Sequence, residues 1–271
     1  MFLSIQAACG CSTGRVRRNN EDNFVFDGRC LDQDNDGLRE VISVRRQMKY
    51  GTYAAVFDGL GGEQFGEYAS FLAADKLRGT KRTLKERCMK PQNYLAKLAL
   101  LLDNVVIKAQ KEMCTRHMGT TLAGLWFFGR KAYVCNLGDS RVYRLRGEAL
   151  EQLSVDHVEK RSLRSDRKAP LTQHLGAGSE EIQVEPHIQV SRVKRGDKYL
   201  LCSDGLTDML TDDEIKKVLE DSMDAYSCVQ SLLKHALEHG GRDNVTVIVF
   251  GLGRKFKQEK RKTGKNRGAE A

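Results

Sequence analysis

The residues best suited to chemistry in this sequence are aspartates at the ends of apolar, strand-like runs. Such runs lead into Asp58-Gly59, Asp139-Ser140 and Asp204-Gly205, whereas Asp22 and Asp243 come just before the next runs begin. Each aspartate alone is a common turn former, because its carboxylate hydrogen-bonds the backbone of its own turn. If the ends of the runs converge, however, the carboxylates repel one another. Divalent cations remove that repulsion, and all-oxygen ligands favour hard ions such as Mg²⁺ or Mn²⁺.

The elements that must position these aspartates form a mixed pattern of strands and helices. Apolar residues at helical spacing predict helices over 63–80, 93–115, 211–220 and 224–239, the third capped by Thr211 with Glu214 three residues on. Strands are predicted over 2–9, 23–27, 40–47, 52–57, 119–128, 131–137, 140–146, 149–153, 187–193, 198–203 and 244–251. The short connections in the middle favour an α+β fold with antiparallel sheets covered by helices, and disfavour a doubly wound parallel sheet.

The length and composition limit the size of the domain and indicate where in the cell the protein is located. With 271 residues, 40% of them hydrophobic, the chain can form one large domain with its own core. No stretch approaches the roughly 18 apolar residues that a membrane span needs, and the N-terminus lacks the features of a secretory signal. Eight scattered cysteines without a Cys-x-x-Cys pair indicate reduced thiols, and we therefore expect a cytoplasmic protein.

The positive charge is concentrated at the end of the chain. The formal net charge is +9, and residues 254–271 contain eight basic and two acidic residues, which account for two thirds of it. The sequence therefore predicts a folded domain over 1–252 and a basic, disordered tail over 253–271. Contact of the tail with RNA, anionic lipid or an acidic partner stays open. The rest of the chain shows no basic groove for nucleic acid, and we expect a monomer.

Six motifs, in order along the chain, resemble those of the type 2C serine/threonine phosphatases, the PPM family of metal-dependent protein phosphatases. They are Arg17-x-x-Asn20-Glu21-Asp22, Asp58-Gly59-Leu60-Gly61-Gly62, Gly119-Thr120-Thr121, Gly138-Asp139-Ser140-Arg141, Ser203-Asp204-Gly205-Leu206 and Asp243-Asn244-Val245-Thr246. The resemblance runs from about residue 8 to residue 251, which is nearly the whole chain outside the tail. Because six motifs keep both their order and their family-like separations, the match is specific.

The resemblance, which is to bacterial members in particular, implies a four-layer α-β-β-α sandwich. Two Mg²⁺ or Mn²⁺ ions would lie between the edges of its two sheets. By this resemblance Asp58 bridges both ions, and the backbone carbonyl of Gly59 binds one of them. Asp204 and Asp243 are the expected ligands of the first metal.

The resemblance also assigns the second half of the site. Asp22 and Glu21 are expected on the side of the second metal, and Asp139 is expected to help bind a third, weaker ion that bacterial relatives hold. Arg17 is the expected phosphate clamp, since a planar guanidinium matches two phosphate oxygens at once. The implied reaction is direct hydrolysis of phosphoserine and phosphothreonine in proteins by a water that bridges two metals. A serine/threonine kinase is expected among the partners.

One position departs from the family. Many members have a histidine where this chain has Leu60, and that histidine is the usual candidate for protonating the leaving alkoxide. His117 and His174 are possible substitutes, although a structural role is favoured for each. A water on the metal is a further possible acid.

Two other interpretations stay open. One is a catalytically weak regulatory pseudophosphatase that binds phosphoproteins, favoured by Leu60 and disfavoured by retention of every metal aspartate. The other is a hydrolase of small phosphoesters on the same scaffold. The stretch 154–180 is predicted as a surface excursion that corresponds to the flap of bacterial relatives. Its basic residues suit an acidic phosphopeptide, but a solvated loop is favoured.

Overall fold

Two antiparallel sheets packed face to face, with helices on both outer faces, make up the fold. The structure is a computed structural model, and it describes residues 3–49, 51–60, 65–115, 117–159, 169–178 and 183–253. Every strand pair in both sheets is antiparallel. The α+β fold and the four-layer α-β-β-α sandwich predicted from the sequence are confirmed.

The strands follow one another in short hairpins and a few longer crossings. In chain order they are β1 (Ser4–Ser12), β2 (Asp22–Phe26), β3 (Ile42–Gln47), β4 (Thr52–Leu60), β5 (Gly119–Thr120), β6 (Leu122–Phe128), β7 (Lys131–Leu137), β8 (Arg141–Arg146), β9 (Ala149–Gln152), β10 (His187–Arg192), β11 (Lys198–Cys202) and β12 (Val245–Gly253). The first sheet has the order β3-β1-β12-β11-β8-β9. The second has the order β10-β7-β6-β4-β2, with β5 paired to β4.

The helices divide between the two outer faces. They are α1 (Gly66–Gly79), α2 (Leu84–Arg87), α3 (Pro91–Glu112), α4 (Asp204–Thr207), α5 (Asp212–Asp221) and α6 (Ala225–Glu238). Helices α1 and α3 pack on the second sheet, whereas α5 and α6 pack on the first. Thr211 and Glu214 form the predicted capping box at the start of α5, which fixes where that helix begins.

Side chains alternate along each strand between the helices and the space between the sheets. In β4, Ala55 and Phe57 pack towards the helices, whereas Ala54 and Val56 pack between the sheets. In that middle layer Phe127 meets Phe250 edge on, with ring centroids 5.5 Å apart. Because successive strand residues point to opposite faces, the even-numbered positions continue this inner face up to Asp58.

Several predicted boundaries change in the structure. The strand predicted over 2–9 continues to Ser12, because its partner β12 pairs with it as far as Val245. The strand predicted over 119–128 is broken at Thr121, where the chain turns from β5 into β6. Helices α2 and α4 were not predicted, since four residues are too few to show helical periodicity.

Four of the predicted segments fall partly outside the described residues. The basic tail does so from residue 254 onwards, the flap over 160–168 and 179–180, the predicted helix 63–80 over 63–64, and the predicted strand 2–9 at residue 2. No helix within the described ranges is long and apolar enough to cross a membrane.

Candidate metal centre

The aspartates singled out from the sequence stand at one end of the sandwich. Antiparallel pairing of β2 with β4 puts Asp22 directly opposite Asp58. Pairing of β11 with β12 puts the end of β11 beside the start of β12, so Asp204, which opens α4, and Asp243 stand at the same edge. Asp139 follows β7 in a half-buried turn. A shared site required the strand ends to converge, and in the fold they do.

Arg17 lies within this group of carboxylates. Its Nη2 donates a hydrogen bond of 2.8 Å to Asp243 Oδ2. That bond, opposed by partial burial and assisted by the charges of Asp243, Glu21 and Asp58, raises the pKa of the Arg17 guanidinium. Four of the predicted site residues therefore share one electrostatic environment. As it stands, the predicted phosphate clamp is engaged by an aspartate.

Asp22 is set deeper than the others. Its carboxylate is 1% exposed, and its Oδ2 accepts hydrogen bonds from the hydroxyls of Ser203 and Thr246, each 2.7 Å long. Burial raises the pKa of Asp22 to about 7, which the two hydroxyl bonds oppose and the charges of Asp243 and Glu21 assist. Asp22 belongs to the second sheet, whereas Thr246 lies in β12 of the first sheet and Ser203 directly follows β11. The Asp22 carboxylate therefore links the two sheets through hydrogen bonds at the site.

Glu21 is positioned by Asn244, a residue of the last motif to which no role was assigned from the sequence. The backbone N–H of Glu21 donates to Asn244 Oδ1 over 2.8 Å. The Asn244 amide in turn donates to the carbonyls of Thr13 and Asn19, over 2.9 and 3.0 Å. Asn244 thus holds the loop with Glu21 against the start of β12. Adjacency to Asp243 in a motif was the only clue in the sequence.

Glycines bring the backbone segments of the site close together. A Cβ added at Gly59 would lie 2.2 Å from the carbonyl oxygen of Gly66 and 2.7 Å from that of Glu21. A Cβ at Gly66 would lie 2.8 Å from Glu21 Oε2, so this carboxylate sits over the start of α1. A Cβ at Gly205 would lie 2.0 Å from the carbonyl oxygen of Asn244. A larger residue at Gly59 or Gly205 would have to move backbone, whereas at Gly66 it would displace the Glu21 carboxylate.

Threonines of β5 and the following turn fix the backbone of Asp58. Thr121 N–H donates to Asp58 O over 2.9 Å, and Asp58 N–H donates to Thr121 Oγ1 over 3.0 Å. Thr120 Oγ1 donates to the same Asp58 carbonyl, also over 2.9 Å. Thr121 Oγ1 lies 2.7 Å from Ser140 Oγ, which connects Asp58 to the turn that carries Asp139. The Gly119-Thr120-Thr121 motif is therefore a scaffold for Asp58.

The donor set fits a hard divalent cation. The site offers carboxylate and carbonyl oxygens, which are the ligands that Mg²⁺ and Mn²⁺ prefer. Burial raises the pKa of Glu21, as it does that of Asp22, and in each case the neighbouring carboxylates add to the increase. A cation would relieve this repulsion. In the side-chain positions of the described residues, no group of three acidic, histidine or cysteine side chains is arranged to hold an ion.

Comparison with known families and proteins decides which family this arrangement belongs to. A family model described as protein phosphatase 2C matches residues 42–239. That range covers most of the chain and includes four of the six motifs named above. The chain belongs to the protein phosphatase 2C family. The family prediction made from the motifs is confirmed.

Similar proteins of this family come from bacteria. The chain is 33% identical over 259 residues to the serine/threonine protein phosphatase PstP of Mycobacterium tuberculosis, a match that covers 91% of this chain and 45% of PstP. It is 29% identical over 252 residues to the serine/threonine phosphatase stp of Listeria monocytogenes, covering 87% of this chain and 91% of that protein. The chain thus spans about half the length of PstP but nearly all of the Listeria protein.

A solved structure agrees with the fold. The catalytic domain of PstP, solved in complex with two manganese ions, superimposes with a TM-score of 0.71 and 28% identity. The match covers 93% of this chain and 99% of that domain. The fold of this protein phosphatase 2C chain therefore matches nearly all of the PstP catalytic domain.

Proposed function

We propose that the chain is a metal-dependent protein phosphatase that hydrolyses phosphoserine and phosphothreonine in proteins. The observation that carries the proposal is the gathering of Glu21, Asp58 and Asp243 around Arg17 at one sheet edge. Membership of the protein phosphatase 2C family supports it, as do relatives named as serine/threonine phosphatases. The domain would span residues 1–252.

Two divalent ions are proposed for the site, Mg²⁺ or Mn²⁺. Asp204 and Asp243 would hold the first, Asp58 would be shared between both, and the backbone carbonyl of Gly59 would bind one of the two. The PstP catalytic domain, which binds two manganese ions, supports this number. When bound, such ions supply an activated water and neutralise charge on the phosphoryl oxygens.

The outer part of the site is also a proposal. Glu21 and Asp22 would lie on the side of the second ion, and Asp139 would help with a third. The half-buried position of Glu21 over the start of α1 suits such a role, since helix N-termini favour negative charge. The buried, doubly hydrogen-bonded carboxylate of Asp22 suits support of its neighbours better than direct ligation.

Arg17 would act as the phosphate clamp once a bound cation has taken over the charge of the Asp243 carboxylate. The pair is joined by one hydrogen bond, and the arginine side chain is 48% exposed. A single exposed ion pair contributes little, so its loss to a competing partner costs little. Released from Asp243, the guanidinium can take two oxygens of the substrate phosphate and hold the phosphorus in place.

Partners and location complete the proposal. Phosphorylated proteins, including a serine/threonine kinase, are the proposed substrates, and a signalling role follows from that. All eight cysteines lie among the described residues and are unpaired, which supports a reducing, cytoplasmic location. A monomer is proposed, and the basic tail is proposed to be solvated.

Assay of phosphate release from a phosphothreonine peptide tests the proposal. Turnover is expected with Mn²⁺ or Mg²⁺, none is expected with EDTA, and Asp204→Asn is expected to remove most of kcat while the thermal midpoint is kept. Turnover that survives chelation would refute the mechanism. A wild-type protein that binds the phosphopeptide but never turns it over would favour the regulatory pseudophosphatase instead.

A further inference from the structure

Hydrolysis of a phosphoserine or phosphothreonine expels an alkoxide, which is a strongly basic leaving group. A positioned acid that protonates the departing oxygen accelerates such reactions by roughly 10²–10⁴-fold. Carboxylates that serve as metal ligands are engaged as anions and do not offer this proton. Apart from a water on the metal, an acid for the leaving group would be another side chain that faces the same space.

One histidine ring lies against Gly119 of β5, which pairs with the end of β4 just beyond Asp58. Leu60 and Asp58 are two residues apart in β4 and so share a face, and Leu60 pairs across the ladder with Gly119. A Cβ added at Gly119 would lie 2.6 Å from His174 Nδ1. The imidazole therefore occupies the room that a side chain at position 119 would take, next to Leu60. Only a glycine at 119 leaves space for it.

The backbone beneath this ring is fixed on both sides. Thr120 and Leu175 exchange two hydrogen bonds, of 3.0 and 2.8 Å, which attach the segment to β5. From α3, the buried Asp103 accepts the N–H of Gly176 over 2.7 Å, and the Gln110 amide donates to the Gly176 carbonyl over 2.8 Å. Residues 174–176 are thus held between the sheet and a helix, which makes the position of the ring well defined.

The hydrogen bond at Nδ1 sets the protonation chemistry. His174 Nδ1 lies 3.0 Å from the carbonyl oxygen of Leu175, and a carbonyl can only accept, so the proton belongs on Nδ1. The imidazolium then carries its second proton on Nε2. Loss of that proton leaves a neutral tautomer that is already hydrogen-bonded at Nδ1. The half-buried ring can regain the proton from solvent.

The other histidine near the site is less suited. His157 Nδ1 accepts the N–H of Gly138 over 3.2 Å, so its single neutral-state proton is on Nε2. Burial, chiefly, lowers the pKa of His157, and the nearby His187 adds to the effect. The lower pKa of His157 leaves less of the imidazolium form that a proton donor needs.

We infer that His174 is the catalytic acid that protonates the departing serine or threonine oxygen, in the place that Leu60 cannot fill. This inference rests on the proposed function. Water supplies the oxygen that bonds to phosphorus as the bond to the substrate oxygen breaks. His174 Nε2 gives its proton to that departing oxygen, producing a neutral hydroxyl. One water proton stays on the phosphate, the other leaves to solvent, and solvent returns a proton to His174.

Two substrates with different leaving groups test this role. A phosphothreonine peptide needs an acid, whereas 4-nitrophenyl phosphate expels a weakly basic anion that leaves without a proton. For His174→Ala with Mn²⁺, kcat on the peptide is expected to fall about 100-fold while kcat on 4-nitrophenyl phosphate changes by less than about threefold. Across a series of aryl phosphates, kcat should depend more steeply on leaving-group basicity in the variant.

Controls separate this role from a structural one. His117→Ala changes an exposed histidine two residues before Gly119, on the connection between α3 and β5, and is expected to leave both activities unchanged. Mn²⁺ binding, measured by equilibrium dialysis, and the thermal midpoint should be the same for His174→Ala as for the wild type. Unchanged peptide turnover in His174→Ala, or an equal loss on both substrates, would overturn the inference. Wild-type protein inactive on both substrates would instead refute the proposed function, and this inference with it.

Discussion

The two ends of the sandwich each hold an arginine–aspartate pair, and the two pairs are built differently. At the end remote from the metal centre, Arg146 makes two hydrogen bonds to Asp197, of 2.8 and 2.7 Å. Asp197 is 1% exposed and also accepts the backbone N–H of Lys194. At the metal centre, Arg17 makes one bond to Asp243, whose side chain is 28% exposed.

The difference separates structural from functional use of the same two residue types. A bidentate pair with a buried, fully hydrogen-bonded carboxylate fixes a loop and is costly to break. A single, half-exposed pair contributes little and exchanges partners readily. The pair before β11 therefore serves stability, whereas the pair beside β12 would, in the proposed function, open for a cation and a phosphate.

The largest expected effect is at the metal end. Asp58→Asn should lower kcat on a phosphothreonine peptide by about 1,000-fold, or about 4 kcal/mol of barrier, because the shared ligand loses its charge. The thermal midpoint should stay close to that of the wild type. Asp75→Asn, on the outer side of α1, is the matched control and should leave kcat unchanged. Near-normal activity of Asp58→Asn would contradict the assignment of the centre.

At the end of the sandwich remote from the metal centre, we expect a loss of stability without a loss of activity. Arg146→Met should lower the free energy of unfolding by about 3 kcal/mol, because it leaves the buried Asp197 without its cation. Urea denaturation measures this, with Lys108→Ala, from an exposed pair on α3, as the control expected to change little. At temperatures where the variant is folded, kcat should equal the wild-type value. A selective loss of kcat would remove the contrast between the two ends.

Arg17→Ala tests the exchangeable pair itself. Loss of the clamp should raise KM for the phosphopeptide about tenfold, as expected for one charge-assisted contact. Stability should be nearly unchanged, because the exposed pair contributes little. Arg18→Ala, the exposed neighbour, is the matched control in steady-state kinetics. A destabilised Arg17→Ala protein with normal KM would assign the pair to structure instead.

The smallest expected effect concerns the hydrogen bonds by which Asp22 links the two sheets. Thr246→Val removes one of the two hydroxyls that hydrogen-bond Asp22 and should cost about 1 kcal/mol in unfolding free energy. Thr207→Val, whose hydroxyl bonds only the carbonyl of Asp204 within its own turn, provides a comparison in the same denaturation assay. An effect no larger than that of the control would show that Asp22 does not join the sheets.

Much of the fold could be predicted because its determinants are local. The alternation of apolar residues gave β7 its observed bounds of 131–137, and Thr211 with Glu214 located the start of α5. The break at Thr121 could not be predicted, because it depends on hydrogen bonds to Asp58, 63 positions away in the chain. Such long-range pairing leaves no periodic trace in the sequence.

The features of the site likewise fall into those that could be predicted from the sequence and those that could not. Turn chemistry and motif order located Asp58, Asp204 and Asp243 at strand ends, where the fold has them. The sequence could not indicate that Asp22 turns inwards, since its donors Ser203 and Thr246 lie 181 and 224 positions away. Nor could it place His174 beside Leu60, which requires the pairing of β5 with both β4 and the 174–176 segment.

The most direct test of the central claim, that these strand ends form a two-metal centre, is the stoichiometry of Mn²⁺ binding by the whole chain. Equilibrium dialysis at saturating Mn²⁺ should find two tightly bound ions per wild-type molecule, and Asp58→Asn should lose both. A third, weaker ion is compatible with the account and should be sensitive to Asp139→Asn. Wild-type protein that binds no Mn²⁺, or Asp58→Asn protein that still binds two ions, would contradict it.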